Sequence, residues 1–81
     1  MEVKKILLDN VVTVRKIPMT NNGCDNLRAI QNWMQEGFSK HFNVSCEIPY
    51  PTVINNVLAD YVKLKGIEVK HHVGGSKSQK Q

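Results

Sequence analysis

The segment that most limits the possible folds is VVTVRKIPM at residues 11–19, because it is the best strand candidate in the chain. Its β-branched residues favour extended backbone, and Pro18 restricts its end to a sheet edge or a strand terminus. One strand cannot pair its own backbone N–H and C=O groups, so it needs a partner. The partner is either the extended-looking segment VKKILL at residues 3–8, turning at Asp9-Asn10, or the same strand of a second copy.

A helix is predicted after the break TNNGCDN, where Thr20, Asn22 and Asp25 are each suitable N-caps. The helix runs to about Phe42, with an alternative end at Gly37, since glycine costs about 1 kcal/mol relative to alanine in a helix interior. Its apolar residues recur at spacings of three and four and form one face, namely Leu27, Ile30, Trp33, Met34, Phe38 and Phe42.

A second helix is predicted after a loop at residues 43–51. Pro51 is tolerated in its first turn, Lys63 and Lys65 suit its negative C-terminal end, and Gly66 suits the position after it. Its broad apolar face comprises Val53, Ile54, Val57, Leu58, Tyr61, Val62 and Leu64.

These elements make one small domain whose core is incomplete in a single copy. A chain of 81 residues buries little apolar surface and often needs disulfides, a metal or a second copy of itself. Cys24 and Cys46 define no disulfide framework, and no ligand spacing is typical of zinc. We therefore expect a homodimer with no metal or other cofactor.

The predicted fold class is α+β and mostly helical. Residues 1–10 form an N-terminal arm or an extra strand, and residues 11–66 form the main domain. Residues 67–81 supply a short alternating strand, IEVKHHV, followed by a flexible basic tail without apolar residues.

Positive charge is concentrated at the two ends of the chain, whose net charge is +4. Residues 1–18 carry four Lys/Arg against two acids, and residues 61–81 carry five lysines against one acid. The middle, residues 19–60, carries two bases against four acids. This distribution favours contact of the ends with a polyanion, and ordinary solubilising lysines are the alternative.

The start of the chain lacks the apolar core of a secretory peptide, and no run approaches the ~20 apolar residues of a membrane span. We expect a cytoplasmic protein that does not bind membranes.

The spacing of several residues in the predicted elements matches the pattern of a known family. In the second helix they are Ile54, Val57-Leu58, Tyr61 and the basic end Lys63-Leu64-Lys65-Gly66, and before it they are Met19, Thr20, Leu27, Ile30 and Met34. Together with the order strand, helix, helix, this pattern resembles the ribbon-helix-helix family of Arc-, MetJ- and CopG-like DNA-binding proteins. The resemblance covers about residues 12–66.

The chain also departs from that family. Pro49 and Pro51 stand where the family usually has small hydroxyl residues, and the loop between the helices is longer than usual. The family clamps a DNA phosphate with backbone N–H groups at this helix end. Pro51 has no N–H, which puts the clamp in doubt and leaves Tyr50 and Thr52 to serve.

The resemblance implies that two copies pair their strands antiparallel across a two-fold axis and insert this ribbon into the major groove of double-stranded DNA. The dimer core would then be built from Val12, Val14, Leu27, Ile30, Trp33, Met34, Ile54, Val57, Leu58 and Tyr61.

Outward strand residues would contact base edges. Inward valines at positions 12 and 14 leave Thr13 and Arg15 outward, whereas counting back from the first helix puts Lys16 outward. We therefore expect base contacts from Thr13, Arg15 and Lys16, with exposed edge charges as the structural alternative. Phosphate contacts are expected from Lys4, Lys5, Tyr50 and Thr52.

Two classes of function remain open. The first is a transcriptional repressor or regulator of a small genetic element such as a plasmid or virus, and this biological role is implied by the resemblance alone. The second is a small protein-binding module, such as an antitoxin or a phage inhibitor of a host protein, whose helix pair carries an apolar groove. We do not expect an enzyme, because no catalytic constellation is visible.

Overall fold

The computed structural model describes residues 2–70 and shows a small, mostly helical fold with a short two-stranded sheet. The order is β1 (Val3–Lys5), α1 (Asn21–Phe42), β2 (Ser45–Glu47) and α2 (Tyr50–Lys65). The prediction of an α+β, mostly helical chain is confirmed.

The two strands are parallel, with Val3 opposite Ser45 and Lys5 opposite Glu47. The Ile6 N–H extends the ladder by donating to the Glu47 carbonyl at 2.9 Å. Parallel strands need a long crossover connection, and α1 provides it, so β1, α1 and β2 form a strand-helix-strand unit.

This pairing corrects two predictions. A hairpin between residues 3–8 and 11–19 is wrong, because β1 pairs with β2 although the chain does bend at Asp9 and Asn10. The loop predicted at residues 43–51 in fact contains β2 and the first two residues of α2. Residues 11–19 have no partner within the part of the chain that the structure describes, so their pairing with a second copy stays a prediction.

A stripe of polar side chains on α1 holds β2 in place. The Cys46 N–H donates to Ser39 Oγ at 2.8 Å, and the Ile48 N–H donates to Gln35 Oε1 at 2.9 Å. Gln31 Nε2 donates to the Ile48 carbonyl at 2.9 Å. Four residues of helix rise about 6.0 Å and two residues of strand rise about 6.6 Å, so side chains four apart on α1 match backbone groups two apart on β2.

The buried core lies where the sequence predicted a loop and a helix start. Ile48 and Val53 are fully buried, and Cys46 and Thr52 are buried beside them. No residue of α1 is buried, and the residues of its apolar face are half-buried or exposed. The described chain therefore has a very small core of its own.

The predicted helix ends are largely confirmed. Thr20 caps α1 by accepting the Gly23 N–H on Oγ1 at 2.9 Å, and the helix continues through Gly37 to Phe42. Pro51 lies in the first turn of α2, as predicted. Gly66 ends α2 with φ of 66°, a left-handed conformation that favours glycine.

Residues 67–70 form no strand, and the remainder of IEVKHHV together with the basic tail lies outside the described residues.

Ile48→Ala is expected to lower the free energy of unfolding by about 2–5 kcal/mol, because it opens a cavity at the centre of a small core. Ile67→Ala is the matched control, since the Ile67 side chain is half-exposed, and its loss should be much smaller. Urea denaturation measures both. Equal losses for the two variants would show that Ile48 is not the core residue described here.

Candidate nucleic-acid interface

The segment before α1, residues 11–19, is exposed and pairs with no other part of residues 2–70. No backbone hydrogen bond joins residues 11–19 to another part of residues 2–70, and every residue of the segment is exposed. The side chains of Val12 and Val14 are 92% and 90% exposed. A run of exposed β-branched residues with free backbone groups is a template for pairing with another strand.

The predicted base-contacting residues all lie on this segment. Thr13, Arg15 and Lys16 are exposed, and Arg15 and Lys16 take part in no ion pair within the described chain. Because the valines beside them are exposed as well, the isolated segment does not determine which face points inward. The register of the proposed ribbon stays open between the two alternatives.

Five of the ten residues predicted for the dimer core come together in one open groove between α1 and α2. The groove has a volume of about 920 Å³, and its apolar lining includes Ile30, Trp33, Met34, Val57 and Tyr61. Two further members of the set, Leu27 and Ile54, are half-buried. The structure thus leaves an apolar surface uncovered along the interface between the two helices.

Leu58 differs from what its position on the apolar stripe suggests, because its side chain is 59% exposed. It is therefore not a core residue of the single chain. No other part of residues 2–70 buries it.

The predicted phosphate-contacting lysines lie on β1. Lys4 Nζ lies 5.0 Å from the centroid of the Phe42 ring, at the C-terminal end of α1. Lys5 Nζ lies 3.9 Å from Glu47 Oε1 in an exposed ion pair. A helix of 22 residues is about 33 Å long, so Lys4 is far from the end of α1 that residues 11–19 precede.

The two predicted contacts at the start of α2 have different surroundings. Tyr50 is exposed at the first position of the helix, between Pro49 and Pro51. Thr52 is only 4% exposed, and its hydroxyl donates to the Ile6 carbonyl at 2.8 Å. The Thr52 side chain is thus unavailable to a phosphate, and it ties β1 to α2 instead.

Sequence reasoning missed the polar stripe on α1 and the strand it holds. Gln31, Gln35 and Ser39 bond the backbone of Cys46 in β2 and of Ile48 directly after it. The available signal was their i, i+4 spacing beside the apolar stripe, which places them at the margin of the packed face.

The described residues suggest no other chemistry. Within residues 2–70, no three His, Cys, Asp or Glu side chains are grouped closely enough to hold a metal ion. Among the helices of this part, none has the length and apolar character needed to cross a membrane.

Thr52→Val is expected to lower the free energy of unfolding by about 1–3 kcal/mol, because the Ile6 carbonyl loses the hydroxyl that it accepts. Thr13→Val is the matched control on an exposed position and should change stability by less than about 0.5 kcal/mol. Denaturation gives the stabilities, and hydrogen exchange of the Ile6 amide reports whether β1 has loosened. An unchanged Ile6 exchange rate in Thr52→Val would contradict the anchoring role.

Comparison with known proteins gives a family without an assigned activity. Residues 1–69 match the family described as a family of unknown function, DUF7195. No curated protein and no solved structure matches the chain. Because the match covers most of the sequence, the chain belongs to the DUF7195 family.

Proposed function

We propose that this protein is a homodimer that binds double-stranded DNA sequence-specifically and regulates transcription. The observation that carries the proposal is the exposed segment 11–17, which pairs with no other part of residues 2–70 and leads into the capped N-terminus of α1. It bears Arg15 and Lys16, which form no ion pair within those residues. The order of this segment, α1 and α2 is that of the ribbon-helix-helix family, which the sequence resembles.

Pairing with a second copy would give partners to the backbone groups of residues 11–17 and cover the exposed apolar surface of the helices. The backbone groups of residues 11–17 would form an antiparallel two-stranded ribbon, and one row of its side chains would cover apolar surface on the helices. The groove lined by Ile30, Trp33 and Tyr61 is an exposed apolar surface that such a partner can cover.

The other row of ribbon side chains would face the DNA. Two strands fit the major groove, where arginine or lysine can bond the O6 and N7 atoms of guanine and distinguish it by about 1–3 kcal/mol. Arg15 would supply this group in the register that also turns Thr13 outward, and Lys16 would supply it in the alternative register. Lys4, Lys5 and Tyr50 would supply phosphate contacts away from the ribbon, because Lys4 lies at the opposite end of α1 from residues 11–17.

A second function is favoured by the same groove. An open apolar groove between two helices can accept an amphipathic helix of another protein, as protein-binding modules do. In that case the exposed cations of residues 11–17 would be incidental. The salt dependence of binding separates the two functions, because the affinity of a protein for DNA phosphates is electrostatic and falls steeply as the salt concentration rises.

The test of the proposed function is site selection from a random duplex pool, followed by titration at two salt concentrations. We expect enrichment of repeated or inverted half-sites, together with weak, strongly salt-dependent binding to random duplex. Failure to bind random duplex at low salt would overturn DNA binding and favour the protein-binding module.

Arg15→Ala with Lys16→Ala is expected to abolish preference for the selected sites, because it removes the base-reading groups. The matched control is Lys63→Ala with Lys65→Ala, which removes the same charge from the far end of α2 and should retain the preference. Filter binding or fluorescence anisotropy measures the ratio of specific to random affinity, and circular dichroism checks the fold. Retained preference in the Arg15/Lys16 variant would remove these residues from the interface.

A further inference from the structure

A glycine lies in the lining of the groove between α1 and α2. Gly37 lines the groove, and a Cβ atom built there would meet no atom within 4 Å. Glycine is less favourable than alanine inside a helix, and no contact within the described chain requires it. Its lack of a side chain lets another backbone approach closely.

A large apolar side chain lies one turn before this glycine. Trp33 is 75% exposed, although tryptophan is among the residues that contribute most to association when buried. Leu64, on the α2 wall of the same groove, is also exposed. The groove therefore presents an exposed Trp33 ring one turn from a position without a side chain, Gly37. This arrangement suits the close packing of a second helix.

The charges around the groove indicate which partner fits. Its lining includes the acids Glu36 and Asp60 and the basic groups Lys40 and His41. A uniformly acidic or uniformly basic partner would meet like charge on part of this rim. A second copy related by a two-fold axis presents the same four groups, so that acids of one copy can face basic groups of the other.

We propose that the second copy of this chain seats in this groove, with the two α1 helices crossing at Gly37 and Trp33 of each copy entering the groove of the other. This inference rests on the homodimer of the proposed function and is independent of DNA contact. It adds a reciprocal charge pattern and a point of closest helix approach to the pairing of residues 11–17.

Two variants of the charged residues around the groove, called the rim variants, test whether acids of one copy face basic groups of the other. The acidic variant carries Lys40→Glu and His41→Glu, and the basic variant carries Glu36→Lys and Asp60→Lys. Each variant alone should dissociate into monomers, because the charged residues around the grooves of the two copies then have the same sign. An equimolar mixture should form heterodimers, which native mass spectrometry resolves by mass and sedimentation equilibrium quantifies.

Three results would overturn the proposal. They are a monomeric wild-type protein, rim variants that remain homodimers with the wild-type dissociation constant, and variants that stay monomeric when mixed. A groove filled by a different protein gives the first or the second result, because the charges around the groove would then play no part in pairing two copies. Circular dichroism of each variant confirms that the helices are formed.

Gly37→Ala gives a second measurement that does not depend on charge. Alanine should raise the melting temperature of the diluted monomer, yet weaken the dimer at least tenfold, because the added methyl group blocks the helix crossing. Asn32→Ala is the control, since it also favours helix but lies outside the groove lining, and its dimer constant should be unchanged. An unchanged dimer constant in Gly37→Ala would refute the crossing point.

The outcomes separate this proposal from that of DNA binding. Dimers that obey the rim pattern but ignore random duplex would leave the groove contact standing and remove the nucleic-acid function. DNA binding by rim variants that remain dimeric would leave the function standing and remove the groove contact.

Discussion

The structure depends on the hydrogen bonds by which one stripe of α1 holds the backbone of β2. Ser39 and Gln35 accept the N–H groups of Cys46 and Ile48, and Gln31 donates to the Ile48 carbonyl. These bonds satisfy the edge of β2 that β1 leaves open, so a three-residue strand can exist in a sheet of two. They also bring Ile48 to the centre of the core, where it and Val53 are fully buried.

The helices could be predicted from the sequence, and the sheet could not. Apolar spacing, the Thr20 cap and Gly66 are local signals, and α1 and α2 begin and end close to where these signals place them. β1 and β2 have three residues each and pair across more than forty positions, which leaves no periodicity to read. The β-branched composition of residues 11–19 indicates extended backbone, but a strand also needs a partner, and composition does not supply one.

For the candidate site, too, local features could be predicted from the sequence and long-range contacts could not. Helical spacing places Ile30 and Trp33 on one face of α1, because residues three and four apart share a face, and the packing of the two helices adds Tyr61 of α2 to the same groove. Spacing does not say what covers that surface, and Leu58 shows the difference, since it belongs to the stripe and remains exposed in the single chain. The role of Thr52 was unpredictable because its partner, the Ile6 carbonyl, is 46 positions away.

The position of β1 changes how the proposed dimer would grip a phosphate backbone. In the family that the sequence resembles, backbone N–H groups at the start of the second helix do this work. Here Pro51 has no N–H and the Thr52 hydroxyl is turned inward to Ile6. The same bond ties the residue after the strand that carries Lys4 and Lys5 to α2. Glu47 lies 3.9 Å from Lys5 and offsets part of its charge, whereas Lys4 lies over the Phe42 ring, which leaves its ammonium group the freer of the two to meet a phosphate.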